Sequence, residues 1–191
     1  MMVVKQTGSV FGTAAGSLQN SSLESFQGSN KVGAIGEELS AQVLNSLAYK
    51  PGGPTVLHDL NIPGAASNID HAIISSRRVL LVDSKRWAPG FYWTLSVSFR
   101  GLTRVKHADK KTLPMAVDRL SKRLDVKDEL LKPLMVVWSS NLSKPMRLWA
   151  LHPKGAHVVK GSGLEKYLRL HKMTRPANPN TVAALLPLVR R

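Results

Sequence analysis

Residues 68–87, NIDHAIISSRRVLLVDSKRW, decide the fold because they contain two apolar runs separated by a short polar segment. This pattern predicts two β-strands joined by a tight turn. If Ile74 pairs with Val79 at the mouth of the turn, the register places Asp70 opposite Asp83 on one face of the hairpin. Two acids then face each other at one end of an otherwise apolar hairpin.

Lys85 adds a positive charge to this pair of acids. Side chains of a strand repeat every second residue, so Lys85 points to the same face as Asp83. Opposed strand residues have Cβ atoms about 4.5–5.5 Å apart, and two carboxylates at that distance repel unless a cation or a proton lies between them. The pattern therefore predicts a site for a hard divalent metal, Mg²⁺ or Mn²⁺. An ion pair at a solvated strand end is the alternative for Asp83 and Lys85 taken alone.

Length and composition restrict the class of protein. With 191 residues, of which 43% are hydrophobic, the chain is long enough for one domain with a real core. It has no cysteine, which excludes disulfides, thiolate zinc sites and cysteine nucleophiles. No apolar window is as long as a membrane span, and no signal peptide is recognisable. We therefore expect a cytoplasmic protein with no membrane partner and no small-molecule cofactor.

The positive charge is concentrated in the second half of the chain. Residues 1–99 carry 7 Lys and Arg against 6 Asp and Glu, whereas residues 100–191 carry 20 against 6. A basic surface beside paired carboxylates suits a polyphosphate, because the surface attracts the backbone and the acids hold the cation that acts on it. Charge alone favours nucleic acid, but a solvated basic exterior and affinity for anionic lipid stay open.

The N-terminal part contains a third acid that can reach the hairpin. Residues 1–30 are rich in Gly, Ser, Gln and Asn without a sustained period, which predicts a disordered or flexible arm. From Gly33 an apolar stripe predicts a helix that ends before Pro51. Glu37 lies at the border of that stripe and can face the hairpin, whereas Glu38 points to solvent. A purely structural Glu37 stays open, because acids are favoured in a first helical turn.

Further strands and a crossover helix complete the predicted sheet. Residues 55–60 predict a short strand, and residues 91–99 predict the third strand of a meander with the hairpin. Pro114 suits the first position of a helix with a basic outer face. The apolar run 134–138 predicts a strand that joins the hairpin through that helix.

The C-terminal third gives shorter signals. Residues 147–151 and 157–159 predict two strands. Ser162 and Glu165 have the spacing of a capping box, which predicts the start of a helix. Asn178, which precedes a proline, predicts the start of a last short helix.

The clustered aromatics and the scattered histidines favour structural roles. Trp87, Phe91, Tyr92 and Trp93 lie close to the acids in sequence, and base stacking is one role for them. Aromatics at the entrance of a strand more often pack in the core or at its rim, and we favour that role. The 6 histidines contain no H-x-x-x-H pair, so they are not predicted to bind a metal.

Four short motifs together resemble a known family. Gly33-Ala-Ile-Gly-Glu37, Leu57-His-Asp-Leu60, Asn68-Ile-Asp-His71 and Val82-Asp-Ser-Lys-Arg-Trp87 are similar to motifs of the nuclease-related domain, NERD, in the PD-(D/E)xK phosphodiesterase superfamily. The resemblance implies an α/β fold of the restriction-endonuclease-like kind, with a mixed central sheet flanked by helices. It also implies that the substrate is DNA.

Residue by residue, the resemblance implies a catalytic site that depends on a metal. Glu37 matches the helix acid, Asp70 and Asp83 match metal ligands together with Glu37, and Lys85 matches the lysine of the motif. Bound Mg²⁺ or Mn²⁺ would polarise the phosphate and lower the pKa of the attacking water, and Lys85 would position that water or stabilise the transition-state charge. The family usually has glutamate where this chain has Asp83, which is one methylene shorter.

The resemblance and the charge pattern also define the expected organisation and the nucleic-acid contacts. We expect a flexible arm over residues 1–30, a NERD-like nuclease domain over residues 31–175 and a C-terminal helical tail over residues 176–191. Ten basic residues are predicted to contact nucleic acid: Arg77, Arg78, Arg86, Arg104, Lys106, Lys110, Lys111, Arg119, Lys122 and Arg123.

Two classes of function stay open from the sequence. The first is a DNA endonuclease or exonuclease that uses Mg²⁺ or Mn²⁺. The second is a non-catalytic DNA-binding or scaffold module on the same fold. A peripheral membrane protein is disfavoured because no basic amphipathic helix with a large apolar face is present. The sequence leaves a homodimer open.

Overall fold

The computed structural model describes residues 8–15, 27–109 and 111–190, which contain eleven strands and four α-helices. The strands are β1 (Val10–Phe11), β2 (Thr55–Asn61), β3 (Asn68–Ser75), β4 (Arg78–Trp87), β5 (Gly90–Thr94), β6 (Ser98–Arg100), β7 (Thr103–Arg104), β8 (Glu129–Leu130), β9 (Leu134–Ser139), β10 (Met146–Ala150) and β11 (His157–Lys160). The helices are α1 (Gln27–Ala48), α2 (Thr112–Ser121), α3 (Leu164–Leu170) and α4 (Pro179–Leu185). Three 3₁₀ turns lie at Lys106–Asp109, Gly161–Gly163 and Leu186–Leu188.

The predicted hairpin lies at the centre of a seven-stranded mixed sheet in the described part of the chain. The strand order is β1-β2-β3-β4-β9-β11, and the short β8 pairs with the first residues of β4. β3 and β4 are antiparallel in the predicted register, with Ile74 opposite Val79. Asp70 and Asp83 follow in the same register, one position beyond the last paired residues. The hairpin and its register are therefore confirmed.

β9 joins the sheet beside β4, as the sequence predicts. The two strands are parallel, with Asp83 opposite Met135, and β11 is parallel to β9 on its other side. A parallel neighbour requires a crossover connection, and the crossover here contains α2. The predicted α/β architecture, a mixed central sheet flanked by helices, is confirmed and is consistent with a restriction-endonuclease-like fold.

Helices cover both faces of the hairpin, which explains its apolar composition. Leu81 packs with Leu120 of α2 on one face, and its neighbour Leu80 packs with Leu44 of α1 on the other face. All four side chains are fully buried. Because both faces of the strands are covered, their apolar residues form a continuous run instead of alternating with polar ones. Within the described residues, no helix is long and apolar enough to cross a membrane.

Residues 91–99 do not form the third strand of a meander. They divide into β5 and β6, which belong to a separate four-stranded sheet with the order β10-β5-β6-β7. The chain leaves the first sheet after Trp87, and Gly90, with a φ of 149°, leads into β5. β9 occupies the edge of β4 that a third meander strand would need, so the prediction was wrong. The strands predicted at 147–151 and 157–159 are confirmed as β10 and β11.

Two predicted helix starts need correction. The helix predicted to begin at Pro114 begins two residues earlier, at Thr112. Ser162 does not cap α3, because a 3₁₀ turn precedes that helix and its N-cap residue, Gly163, makes no side-chain capping bond. Asn178 does cap α4, since its side chain accepts hydrogen bonds from two backbone N–H groups in the first turn.

Part of the predicted flexible arm belongs to the sheet. Val10–Phe11 pairs in parallel with β2, and α1 already begins at Gln27. This part of the prediction for residues 1–30 was wrong because backbone pairing, which the sequence pattern does not show, fixes the segment. The rest of the arm, residues 1–7 and 16–26, lies outside the described residues.

The predicted C-terminal tail packs against the apolar core on the α2 side of the seven-stranded sheet. Leu185 of α4 and Leu188 after it are buried among the residues of β2, β3 and β4. The backbone N–H of Arg190 donates to the carbonyl of Asp59 at 3.0 Å. Residues 176–190 therefore complete the helical layer on one face of the sheet.

Candidate active site

Four charged residues converge where β3 and β4 stop pairing with each other. Asp70 lies on β3, Asp83 and Lys85 lie on β4, and Glu37 extends from α1. The three acids are 8%, 7% and 7% exposed in the order Asp70, Asp83 and Glu37, so all three are buried. The Lys85 Nζ atom lies 2.6 Å from Asp83 Oδ2. The structure thus brings together all four residues that the sequence predicts as catalytic.

Backbone groups hold two of the acids in place. One carboxylate oxygen of Asp70 accepts a hydrogen bond from the Ser84 N–H at 2.6 Å. Glu37 Oε2 accepts one from the Ala15 N–H at 3.1 Å. Gly36 allows α1 to approach β4 closely, because a Cβ atom there would lie 3.3 Å from the backbone of Lys85. The acids are therefore positioned by fixed backbone and not by flexible side chains.

Burial and mutual repulsion change the protonation of the cluster. Burial raises the pKa of Glu37 to about 7, although the charge of Lys85 opposes the change. Burial, followed by the charge of Asp83, raises the pKa of Asp70 well above its usual range. Burial alone would lower the pKa of Lys85, but the charges of Asp83 and Asp70 outweigh it and the pKa is raised. The raised pKa values mean that Glu37 and Asp70 take up protons readily when no cation is present, and a divalent cation would replace those protons.

Asp59 is a further acid near the site that sequence reasoning missed. It is 4% exposed, has a φ of 52° and lies opposite Asp70 in the register of β2 and β3. Its charge contributes to the raised pKa of Glu37. Its Oδ1 atom accepts a hydrogen bond from Asn68 Nδ2 at 2.7 Å. The register arithmetic applied to the first hairpin, if extended to β2, could have found it.

The donor chemistry of the cluster fits Mg²⁺ or Mn²⁺. Carboxylate oxygens are hard ligands, and Asp70 uses only one of its two oxygens for the Ser84 N–H. In the described part of the chain, no three His, Asp or Glu side chains lie close enough together to hold a metal by themselves. Mg²⁺ commonly binds through one or two carboxylates and completes its octahedron with water and substrate phosphate. Asp70 and Asp83 are therefore sufficient in number.

Two of the predicted nucleic-acid contacts lie far from the acids. Arg77 and Arg78 are at the turn of the hairpin, at the opposite end from Asp70. They form ion pairs with Asp128 and Glu129 at 3.3 and 2.9 Å. Five strand residues separate this turn from the acids, about 17 Å at the rise of a strand. The structure does not bring these two arginines to the site.

The other predicted basic contacts have different environments. Arg86 is half-buried against α1, Arg119 donates to the carbonyl of Pro63 at 2.7 Å, and Lys122 pairs with Asp118 at 3.2 Å. Lys110 lies outside the described residues. The remaining contacts are exposed: Arg104, Lys106, Lys111 and Arg123.

Two buried histidines link α1 to the sheet beside the site. His58 Nδ1 and His71 Nδ1 share a hydrogen bond of 2.8 Å, and His58 Nε2 bonds Asn45 Oδ1 at 2.9 Å. Burial lowers the pKa of His58 to about 4, and burial together with His58 lowers the pKa of His71 well below its usual value. Both rings are therefore neutral at neutral pH, and their hydrogen bonds connect α1 with β2 and β3.

The comparison with family models adds independent information to this geometry. The model of the nuclease-related domain matches residues 32–133, more than half of the 191-residue chain. The chain belongs to the nuclease-related domain family. The NERD match includes all four clustered residues and extends well beyond Trp87, where the motif resemblance stopped. No curated protein and no solved structure was found to match the chain. Membership of the NERD family indicates a nuclease-related function and an interaction with nucleic acid.

Proposed function

We propose that this NERD protein is a metal-dependent phosphodiesterase that cuts the backbone of DNA. The observation that carries the proposal is the buried convergence of Asp70, Asp83 and Lys85, with Glu37 beside them. A protein that needed only a stable hairpin end would gain more from apolar residues, since burying charges is costly. The raised pKa values of Glu37 and Asp70 show that burial disfavours their ionised forms, and perturbed carboxyls of this kind are typical of functional sites.

Each residue of the cluster has a chemical role in this proposal. Asp70 and Asp83 would hold the cation, with Glu37 as the third acid beside them. When bound, Mg²⁺ or Mn²⁺ would polarise the phosphate and generate a nucleophile from water. Lys85 stays protonated because its pKa is raised, so it supplies a positive charge and hydrogen-bond donors to the phosphate.

The charge of the whole chain supports a polyanionic substrate. The formal net charge is +15, and the family membership indicates nucleic acid as the class of polyanion. We propose DNA as that nucleic acid. One phosphate would lie at the acids where β3 and β4 stop pairing, while basic surface residues hold the strand.

The test is a cleavage assay on linear and plasmid DNA with Mn²⁺, Mg²⁺ or EDTA. We expect cutting with either metal, none with EDTA, and none in Asp83→Asn or Lys85→Met. Glu37→Gln should reduce cutting strongly, whereas the matched control Glu38→Gln, which changes the neighbouring exposed acid, should not. Thermal unfolding checks that each variant is folded. Cutting that persists in both the Asp83 and the Lys85 variants would contradict the proposal.

Two features favour a second function. The family usually has glutamate where this chain has Asp83, and no three described side chains form a complete metal site. These features suit a non-catalytic DNA-binding module on the same fold. Such a module would bind DNA in a salt-dependent manner and cut it with no metal. In that case Asp83→Glu, which restores the longer acid, is the variant expected to gain cutting.

A further inference from the structure

The second sheet has one face in the core and one face open to solvent. Alternate side chains such as Tyr92 and Leu148 are buried. The open face carries four aromatic rings and two arginines, which we call the aromatic face: Phe91 and Trp93 of β5, Phe99 of β6, Arg104 of β7, and Arg147 and Trp149 of β10. Trp149 is 75% exposed and Phe91 is 39% exposed, which is unusual for rings of this size.

Strand pairing brings these six residues into adjacent rows. Trp93 is opposite Phe99, and Phe99 is opposite Arg104, so one row crosses three strands. In the neighbouring row Arg147 is opposite Phe91. Each row therefore combines at least one ring with one guanidinium group.

The rings are held in place before any partner binds. Trp93 and Phe99 are stacked, with centroids 4.7 Å apart and planes 18° apart. The Trp93 Nε1–H donates to the carbonyl of Gly101 at 2.8 Å. Phe91 and Trp149 are in contact, with centroids 5.8 Å apart. A surface whose rings are already ordered loses little side-chain entropy on binding.

The strands that form the aromatic face carry no acid, and the nearby Asp109 bonds the buried Ser98 of β6, on the opposite face of the sheet. Residues 90–108 and 130–164, which contain all strands of this sheet, include no Asp and no Glu. Within the described residues, neither Arg104 nor Arg147 forms an ion pair. The two guanidinium groups are therefore available to an anionic partner.

We propose that the aromatic face binds single-stranded nucleic acid, with unpaired bases stacked on Trp149 and Phe91 and phosphates held by Arg104 and Arg147. Exposed rings on a basic surface are the elements that bind single strands without sequence preference. A duplex offers no base faces to such rings, because its bases are already stacked on each other. The proposal rests on the proposed function for the identity of the substrate, but the binding itself needs no catalysis.

Two other partners fit the same surface less well. A two-fold dimer through this face would bring Arg104 and Arg147 of both copies into one interface that contains no acid. Insertion of the rings into a membrane would draw the arginines into the acyl region, because Arg147 and Phe91 share a row. Nucleic acid satisfies the rings and the charges together.

The position of the face also suits a substrate of the acid cluster. Only two residues separate Trp87, the end of β4, from Gly90, the start of β5. The strand that carries Asp83 and Lys85 therefore leads directly into the sheet that carries the rings. A single strand bound to the aromatic face would have its backbone near Asp83 and Lys85, which we propose as catalytic.

The experiment measures the affinity of the full chain for a labelled oligothymidylate of about 20 nucleotides in EDTA, by fluorescence anisotropy. We expect Trp149→Ala and Phe91→Ala each to weaken binding about tenfold, and Trp149→Phe to retain most of the affinity. The matched control is Tyr49→Ala, which removes an aromatic ring that is 61% exposed outside the face and should leave the affinity unchanged. An unlabelled duplex of the same length should compete poorly.

Several outcomes would overturn the proposal. The proposal is wrong if Trp149→Ala and Phe91→Ala bind the oligonucleotide with the affinity of the wild type. It is also wrong if a duplex binds as tightly as the single strand and its affinity depends equally on Trp149. Loss of a wild-type dimer in Trp149→Ala, with oligonucleotide affinity retained, would assign the face to self-association. If Trp149→Ala loses binding to phosphatidylserine vesicles but retains its oligonucleotide affinity, the aromatic face is a membrane-binding surface.

A second measurement separates this proposal from the proposed function. Lys85→Met should abolish cutting in Mn²⁺, whereas Trp149→Ala should weaken oligonucleotide binding in EDTA, where no cutting occurs. If the wild type binds through the aromatic face and cuts nothing, the nuclease proposal fails and the binding face stands. If the wild type cuts DNA and Trp149→Ala and Phe91→Ala bind the oligonucleotide normally, only the proposed role of the aromatic face is contradicted.

Discussion

At the scale of single residues, Lys85 supplies positive charge to the acids Glu37, Asp70 and Asp83. It lies 2.6 Å from Asp83, and its side chain is 27% exposed, so water screens the pair only in part. Its charge also opposes the rise in the pKa of Glu37 and of Asp70. Without it, three buried acids would face each other with no described cation in the cluster.

Lys85→Met should therefore lower the free energy of unfolding by about 3 kcal/mol at pH 8, as expected when one partner of a largely buried ion pair is removed. The loss should be smaller at pH 5, because the acids then share protons instead of the ammonium. Urea denaturation at both pH values measures the change. As a control, Lys122→Met removes a pair whose side chains are 70% and 69% exposed and should cost under about 1 kcal/mol. A Lys85 variant as stable as this control would contradict the prediction.

Glu37 gives the protein a distinct pH dependence. Its pKa is raised from 4.5 to about 7, so the folded state binds its proton more tightly than the unfolded state. The corresponding stability is fully present below pH 4.5 and is lost as the pH rises through about 7. Glu37→Gln, which keeps a hydrogen-bond acceptor for the Ala15 N–H, should become progressively more stable than wild type between pH 5 and pH 8.

The difference between Glu37→Gln and wild type isolates this group from the histidines, whose lowered pKa values act in the opposite direction. Thermal or urea unfolding at a series of pH values provides the measurement. A difference that does not vary with pH would show that Glu37 is not the group responsible. Saturating Mg²⁺ should stabilise the ionised wild type and narrow the difference at pH 8.

At the scale of secondary-structure elements, the docking of α1 on the sheet depends on one buried serine. Ser40 Oγ bonds Ser84 Oγ at 2.7 Å and accepts from Trp138 Nε1 at 2.9 Å, so it joins α1 to β4 and β9. Ser40 is fully buried. Ser84 is 3% exposed, so water has little access to its hydroxyl, and its N–H also holds Asp70. Helix docking and acid positioning therefore share a residue.

Ser40→Ala should destabilise the protein by about 1–3 kcal/mol, because it leaves the buried Ser84 hydroxyl without this partner and removes the acceptor of the Trp138 Nε1–H. Ser46→Ala on the same helix is the control, since Ser46 is exposed and its hydroxyl bonds only a carbonyl of its own helix. That variant should change stability by under about 0.5 kcal/mol. Denaturant unfolding compares the two, and equal effects would refute a special role of Ser40.

The turn before α3 offers a second test at this scale. A Cβ atom at Gly161 would lie 2.2 Å from the ring of Trp138, whereas one at Gly163 would lie 3.2 Å from a methyl group of Val159. Gly161→Ala should cost about 1–3 kcal/mol through displacement of Trp138, and Gly163→Ala should cost clearly less. Differential scanning calorimetry of both variants measures the contrast. Equal melting temperatures would contradict the packing at Trp138.

The elements differ in how far their sequence determines them. The hairpin and the pairing of Asp70 with Asp83 and Lys85 could be predicted, because a short polar turn between apolar runs fixes the register. The second sheet could not, since FYWTLSVSF alternates as a meander strand would, and only the contact of β4 with β9 excludes that arrangement. Asp59 could have been predicted too, because the register of β2 and β3 is continuous on both sides of it and places it opposite Asp70.

At the scale of the whole molecule, segments near both ends of the described chain form hydrogen bonds with Glu37 and with Asp59. The Ala15 N–H bonds Glu37, and the Arg190 N–H bonds the carbonyl of Asp59. The NERD match ends at residue 133, so the strands β9, β10 and β11 and the last two helices lie beyond it. The basic half of the chain supplies β7 and β10 of the second sheet, with Arg104 and Arg147 on the aromatic face.

This distribution of charge makes binding to a single strand dependent on salt. Each phosphate contact contributes about 0.7 to the slope of log affinity against log salt concentration. If Arg104 and Arg147 each hold a phosphate, the double change Arg104→Gln with Arg147→Gln should reduce the slope by about 1.4. The matched double change Lys160→Gln with Lys166→Gln alters two exposed cations elsewhere and should leave it nearly unchanged. Anisotropy titrations of oligothymidylate at several salt concentrations measure both slopes, and equal reductions would mean that attraction is spread over the whole basic surface.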